Sequence, residues 1–251
     1  MEDKHYLFKI KNYLDSKGVK NNEGFLTLAR ERKAGRSFSL SDHIRGMIHS
    51  MLSNQTKWKR IELHLDEIDS LFFMYNAEQI LKTPPGYFSR GIFSLKCGNV
   101  STKKQMDSLN YNISLLKNIE EKHGDVDSFV TSLPAYEIVK IFSDLNSAYK
   151  LRLLGEPLVW EYLRNVGIDG AKPDIHLRRF FGSDRMAKSK SSPSSINDVL
   201  CEIEYLSKET GFTQTEIDDL IWRYCADGYG EICTKNPNCQ ECVIRYKCSR
   251  G

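Results

Sequence analysis

Apolar residues recur along most of this chain at i, i+3, i+4 and i+7, the spacing that lines one face of an α-helix, and no convincing period-two run announces a strand. Over 41–52, Ile44, Met47, Ile48, Met51 and Leu52 form one such stripe, with Ser41 or Asp42 placed to cap its start. Ile61, Leu65, Ile68, Leu71 and Phe72 form the next. Met106, Leu109, Ile113, Leu116 and Ile119 follow, then Ile138, Ile141, Phe142 and Leu145. Pro84-Pro85-Gly86, His123-Gly124-Asp125, Pro134 and the pair Gly167 and Gly170 break one helix from the next. Residues 188–195, rich in Ser, Lys and Pro, read as a mobile surface loop. Helical pattern then resumes through Val199, Ile203 and Leu206, and through Ile217, Leu220, Ile221 and Tyr224. The fold class expected is all-α.

A chain of 251 residues, 40% of them hydrophobic, can build one large core or two modest ones. A formal charge of +3 neither requires nor excludes a nucleic-acid partner. No apolar stretch approaches the roughly 18 residues of a membrane span. The chain starts on the charged run Met1-Glu2-Asp3-Lys4-His5, without a secretory signal, and has an odd number of cysteines, seven. Disulfides are therefore not expected, and the compartment expected is intracellular: the cytoplasm, with nucleoid association, if the source is bacterial or archaeal.

Four of the seven cysteines, Cys233, Cys239, Cys242 and Cys248, read C-x5-C-x2-C-x5-C near the end of the chain. Four thiolates on one short loop can enclose a soft metal centre, either an iron-sulfur cluster or a structural zinc. Cys97, Cys201 and Cys225 stand apart and read as buried small hydrophobes.

The stretch Asp174-Ile175-His176-Leu177-Arg178-Arg179 resembles the aspartate-x-His-hydrophobic-x-Arg element of the helix-hairpin-helix DNA glycosylases related to endonuclease III, and the cysteine loop is similar to that family's 4Fe-4S loop, with five residues rather than the commoner six in its first interval. A third element, Leu52-Ser53-Asn54-Gln55-Thr56, resembles the family's Leu-x-x-Gln-Thr. Together these cover roughly 40–251 in the family's order. A monomer is the prior expectation, as the sequence carries no sign of oligomeric state. The resemblance implies a two-lobed, all-helical protein: a helical barrel over 36–169 ending in the hairpin, and a second lobe of 1–35 with 170–251 that carries the cluster loop over 233–248. It also implies a double-stranded DNA partner with a damaged or mismatched base, a 4Fe-4S cofactor with zinc as the alternative, and no membrane partner.

Breaking a base-sugar bond builds oxocarbenium character on the sugar, which a fixed carboxylate beside C1′ stabilises while it orients or deprotonates water. By the resemblance that carboxylate is Asp174, which also suits the N-cap of a helix over 175–181. Relatives that also cut the strand use a hairpin lysine; eighteen residues before Asp174 this chain has Glu156, which cannot form an imine. The expectation is a monofunctional glycosylase, with Glu156 either a second acid/base or a first-turn residue favoured by the helix dipole. Two alternatives remain open: a lyase using a displaced lysine, Lys150 or Lys172, and an inactive DNA-binding relative. Gln55, Lys150, Arg152, Gly155, Lys172 and Arg178 are the expected DNA contacts, and Tyr149, Trp58 and Trp160 are aromatics able to stack on an extruded base or to fill the core. Where adenine-specific relatives carry a glutamate, five residues before Gln55, this chain has Ser50, which argues against an adenine-mismatch enzyme.

Overall fold

The structure, a computed structural model, describes residues 5–21 and 23–250. Among these there is no strand, and no helix is long and apolar enough to cross a membrane. The helices are α1 (Tyr6–Ser16), α2 (Glu23–Lys33), α3 (Leu40–Ser53), α4 (Trp58–Glu62), α5 (Leu65–Leu71), α6 (Ala77–Lys82), α7 (Pro85–Ser94), α8 (Thr102–Asp107), α9 (Leu109–His123), α10 (Val126–Thr131), α11 (Ala135–Ser143), α12 (Glu156–Arg164), α13 (Ile175–Phe180), α14 (Ile196–Thr210) and α15 (Gln214–Cys225). They form two compact units, one of Met1–Thr27 with Asp169–Gly251 and one of Leu28–Ile168. A first boundary was expected near 35/36; it lies within α2, whose Arg32 donates to the Val166 carbonyl at 2.8 Å and to the Asp127 carboxylate. Gly167, at φ +74°, leaves no room for a Cβ against the Leu28 carbonyl.

The Leu28–Ile168 unit is built around α3, whose Ile44, Met47, Ile48, Met51 and Leu52 are all buried. Its N-cap is Ser39 rather than Ser41 or Asp42; Asp42 is the third-position partner that completes a capping box. α12 packs along α3 at close range: a Cβ on Gly46 would sit 3.1 Å from the Asn165 Cβ, and the Asn165 amide donates to the Gly46 carbonyl at 3.0 Å. Two of the expected stripes are interrupted. The Ile61–Phe72 stripe divides between α4 and α5, and that of Met106–Ile119 divides at Ser108, whose hydroxyl turns back onto the Gln105 carbonyl at 2.7 Å. α11 stops at Ser143, so Leu145 is 88% exposed rather than in the core.

Buried polar groups tie these helices together. Asp127 on α10 accepts from Arg32, from the Phe38 N–H at 3.0 Å and from His43 at 3.2 Å, and His43 also meets the Tyr162 hydroxyl at 2.8 Å. His43 is held neutral by burial, while Asp127 is kept well below the usual carboxylate range by His43, Arg32 and the Phe38 N–H acting against its own desolvation. A second group joins Tyr75, which donates to Asp69 at 2.5 Å, to His49 at 2.9 Å. These bonds hold a turn in which Phe73, Met74 and Tyr75 all take left-handed backbone.

In the other unit, Leu7, Ile10 and Leu14 of α1 pack with Phe180 and Phe181, with Val199, Ile203 and Leu206 of α14, and with Ile217, Ile221 and Tyr224 of α15. Arg223 on α15 is paired with Asp219 at 2.8 Å and donates to the Val19 carbonyl at 3.0 Å, which anchors the end of α1. Residues 188–195 are irregular but tethered: Arg178 and Ser194 exchange two bonds of 2.7 Å, and Ser194 is fully buried. Of the three cysteines expected in the core, Cys97 and Cys225 are buried. Cys201, on the outer face of α14, is exposed.

Candidate functional site

The approach to Asp174 is fixed from both sides. Asp218 of α15 accepts from the Lys172 N–H at 3.3 Å, and Ala171 and Pro173 are buried. Asp174 then N-caps α13, its Oδ1 accepting from the N–H groups of His176 at 2.7 Å and Leu177 at 3.3 Å. Oδ2 receives no hydrogen bond among the described residues. His176 stands edge-on to Trp222, with centroids 6.0 Å apart, and burial lowers its pKa. Its Nδ1 accepts from Arg179 at 3.3 Å, so the proton of the neutral ring is on Nε2. Lys172 and Arg178 share this unit with Asp174, and Arg178 spends its Nε on the Ser194 carbonyl.

Lys150, Arg152, Gly155 and Glu156 come together in the turn between α11 and α12, in the other unit. Leu151 and Leu154 are buried and root the turn; Leu153, between them, is half-exposed in left-handed backbone at φ +61°. Gly155 is the N-cap of α12 without a side-chain cap, and Glu156 is the first helical residue. The N–H groups of Gly155 and Glu156 have no partner among the described residues, and Pro157 has none to offer. A Cβ on Gly155 would meet nothing nearer than the Pro157 Cδ at 4.0 Å, so nothing within the unit demands glycine there. The Lys150 amine donates to the Leu151 carbonyl at 2.7 Å and to the Leu154 carbonyl, and burial lowers its pKa. The Arg152 guanidinium lies 3.7 Å over the Tyr111 ring. Its backbone is gripped by the fully buried Asn112 of α9, which accepts from the Arg152 N–H at 2.7 Å and donates to the Arg152 carbonyl at 3.0 Å.

Gln55 follows α3 in the same unit, exposed and at φ +54°. Asn99 reaches both of its neighbours, donating to the Asn54 carbonyl at 2.5 Å and to the Thr56 hydroxyl at 3.1 Å. Gln105 secures the preceding turn through the Met51 carbonyl at 3.0 Å. Ser50 is buried, its hydroxyl committed to the Leu158 carbonyl. Trp160 is buried, Tyr149 packs on His123 and Phe129, and Trp58 is partly exposed, edge-on to His49. Sequence reading missed Asn99 and Asn112. A readable sign existed only for Asn112, a polar residue beside Ile113 that shares the apolar face of Leu109 and Leu116.

Cys233, Cys239, Cys242 and Cys248 line one cavity, together with Ile232, Pro237, Arg185 and Arg250. Among the described residues no three His, Cys, Asp or Glu side chains are placed to hold a single metal ion. The buried Arg185 donates to the Cys233 sulfur at 3.0 Å, to the Cys233 carbonyl at 2.7 Å and to the Thr234 carbonyl at 2.8 Å, and the Tyr224 hydroxyl meets the Cys242 sulfur at 3.4 Å. A hydrogen bond from Cys225, aided by Arg185, holds the Cys233 thiol down to about 7. Donors aimed at sulfur are what thiolate ligands need, so these residues fit a thiolate-bound group.

No protein-family profile and no curated protein sequence matches the chain. Solved structures do. The crystal structure of Methanocaldococcus jannaschii 8-oxoguanine DNA glycosylase superposes with a TM-score of 0.56 at 18% identity, covering 89% of this chain and 96% of that one. The chain carries the helix-hairpin-helix DNA glycosylase fold. The M. jannaschii 8-oxoguanine glycosylase/lyase in complex with a 15-mer DNA containing 8-oxoguanine gives a TM-score of 0.55 at 17% identity, over 86% of this chain and 96% of that one. The turn carrying Leu153 and Gly155, between α11 and α12, is where the sequence resemblance places the hairpin.

Proposed function

We propose that this chain is a base-excision DNA glycosylase that hydrolyses the N-glycosidic bond of a damaged or mismatched base. The observation that carries the proposal is Asp174: within a glycosylase fold, its Oδ1 is fixed by two backbone N–H groups while Oδ2 is left for an outside partner. The target nucleotide is extruded from the duplex at a cost of a few kcal/mol. The bond from C1′ to the base then breaks with its electron pair leaving on the base. Oδ2 stabilises the oxocarbenium charge and accepts a proton from the water that forms the new C1′–O bond. Glu156 stands where the resemblance puts the imine-forming lysine, so water is the nucleophile. The free N–H groups of Gly155 and Glu156 suit a DNA phosphate at the start of α12, with Arg152 as supporting charge in the same unit, while Lys172 and Arg178 supply positive charge in the unit of Asp174. The four cysteines are read as ligands of a 4Fe-4S cluster, with zinc as the alternative, since all four line one cavity and their spacing is similar to that of the family's cluster loop. The cluster would supply order to the loop.

One observation favours a second reading, a lyase step through Lys150. Its amine sits in the hairpin with a lowered pKa, as a Schiff-base lysine requires, although it is engaged by two carbonyls. Because the similar solved structures are of an 8-oxoguanine enzyme, an 8-oxoguanine duplex leads the test panel, followed by uracil, thymine mismatches, oxidised pyrimidines and alkylated purines. The expected result is base release that yields strand breaks only after alkali and no borohydride-trapped adduct, reduced by a factor on the order of 10³ in Asp174→Asn. An adduct lost in Lys150→Ala would establish the lyase. Silence on every lesion would leave a DNA-binding protein.

A further inference from the structure

Gln55 is exposed, is not glycine, and is in left-handed backbone, a conformation that a side chain disfavours and that persists only where the surroundings impose it. What imposes it is one carboxamide. Asn99 Nδ2 donates to the carbonyl of the residue before Gln55 and to the hydroxyl of the residue after it. Thr56 in turn donates to that same Asn54 carbonyl at 3.3 Å, which closes a ring of bonds beneath Gln55. Asn99 is itself held, its N–H donating to the Thr102 hydroxyl at 2.8 Å and its Oδ1 accepting from the Ser101 N–H at 2.7 Å. Its carbonyl accepts from the Thr102 N–H at 3.1 Å, so every polar group of Asn99 is engaged within the protein.

We infer that Asn99 is a positioning residue that keeps Gln55 projecting from the protein before DNA arrives. Resting on the glycosylase reading, the consequence is that Gln55 enters the stack vacated by the extruded nucleotide without an ordering cost, so Asn99 sets how strongly the protein prefers a duplex with a missing base over an intact one. Asn112 grips the hairpin in a comparable way but touches neither neighbour of Gln55, which makes it the natural control.

The test measures binding of the full chain to two duplexes, one undamaged and one carrying a tetrahydrofuran abasic analogue opposite 2-aminopurine, whose fluorescence reports stacking. Wild type is expected to prefer the abasic duplex. Gln55→Ala and Asn99→Ala should each lose roughly tenfold of that preference, and the double variant no more than either alone. Thr56→Val, which removes one of the two contacts, should lose a smaller part and decides the matter if Asn99→Ala does not fold. Asn112→Ala should weaken both duplexes together. A folded Asn99→Ala that keeps the wild-type preference, or effects that add in the double variant, would overturn the inference while leaving the glycosylase reading intact. A wild type with no preference would remove both.

Discussion

The Gln55 loop and the hairpin are held by the protein alone: each carries a non-glycine residue in left-handed backbone, and each is gripped by a single asparagine from elsewhere in its unit. The cysteine loop is held differently. Its buried apolar residues are few, Ile232 and Ile244, and its fixed points are Arg185 and Tyr224, which reach for sulfur or for carbonyls beside it. Carboxamide clamps need nothing from outside. Donors aimed at thiolates gain most when those thiolates are gathered around a bound group. One unit therefore has its loops set by carboxamide clamps, and the other has a loop whose fixed points are donors to sulfur and to the carbonyls beside it.

The strongest way to break this contrast is to remove the cluster proposed for the cysteine loop. Chelation of iron, or Cys242→Ser, should abolish amide exchange protection across residues 232–248 while the Leu28–Ile168 amides stay protected; equal loss in both units would refute it. Next in size is Asp127→Ala. It strands Arg32 and removes the acceptor for His43 and the Phe38 N–H, so the Leu28–Ile168 unit should lose about 3–5 kcal/mol in denaturant unfolding with amide protection in the other unit unchanged. Acid acts on the same groups. Burial holds His43 and His49 below the ordinary value of 6.5, so the unfolded chain takes up protons first. Stability should be complete above pH 6.5 and decline as pH falls. A second decline is expected below pH 3.8, where Asp69, held at about 2 by His49 and Tyr75 despite its desolvation, stays charged while its unfolded counterpart protonates. Stability that is flat from pH 7 to 5 would contradict the first of these. The smallest effect is a gain: Leu153→Gly should relieve left-handed strain at the hairpin and stabilise its unit by about 1 kcal/mol, read as a rise in the denaturant midpoint.

Much of this arrangement was legible in the sequence because its causes are local. Helical stripes, breakers such as Gly124 and Pro134, and the cysteine spacing are patterns within a few turns of chain, and Asp174 and Gln55 fall in short motifs. The misreadings occurred where a local pattern ran past its physical limit. Leu145 continues a stripe that the end of α11 has already cut, and Cys201 looks like core until α14 turns it outward. The clamps could not be read at all. Asn99 acts on residues 45 and 43 positions away and Asn112 on one 40 positions away, and a single asparagine advertises no partner. Hydrogen-bond capacity is visible in sequence, but its destination is settled by tertiary packing.

One unit draws α1 from near the start of the chain and α14 and α15 from beyond residue 195, and this sets an order of events during synthesis. Tyr6, Leu7, Ile10 and Leu14 emerge from the ribosome long before the helices that cover them. At translation rates of about 5–20 residues per second, that apolar face waits on the order of 10 to 40 s for its partners, while the contiguous Leu28–Ile168 unit can close in the meantime. A nascent chain stalled once Ile168 has left the ribosome would thus present a folded unit with a sticky helix ahead of it, the species on which a chaperone would act.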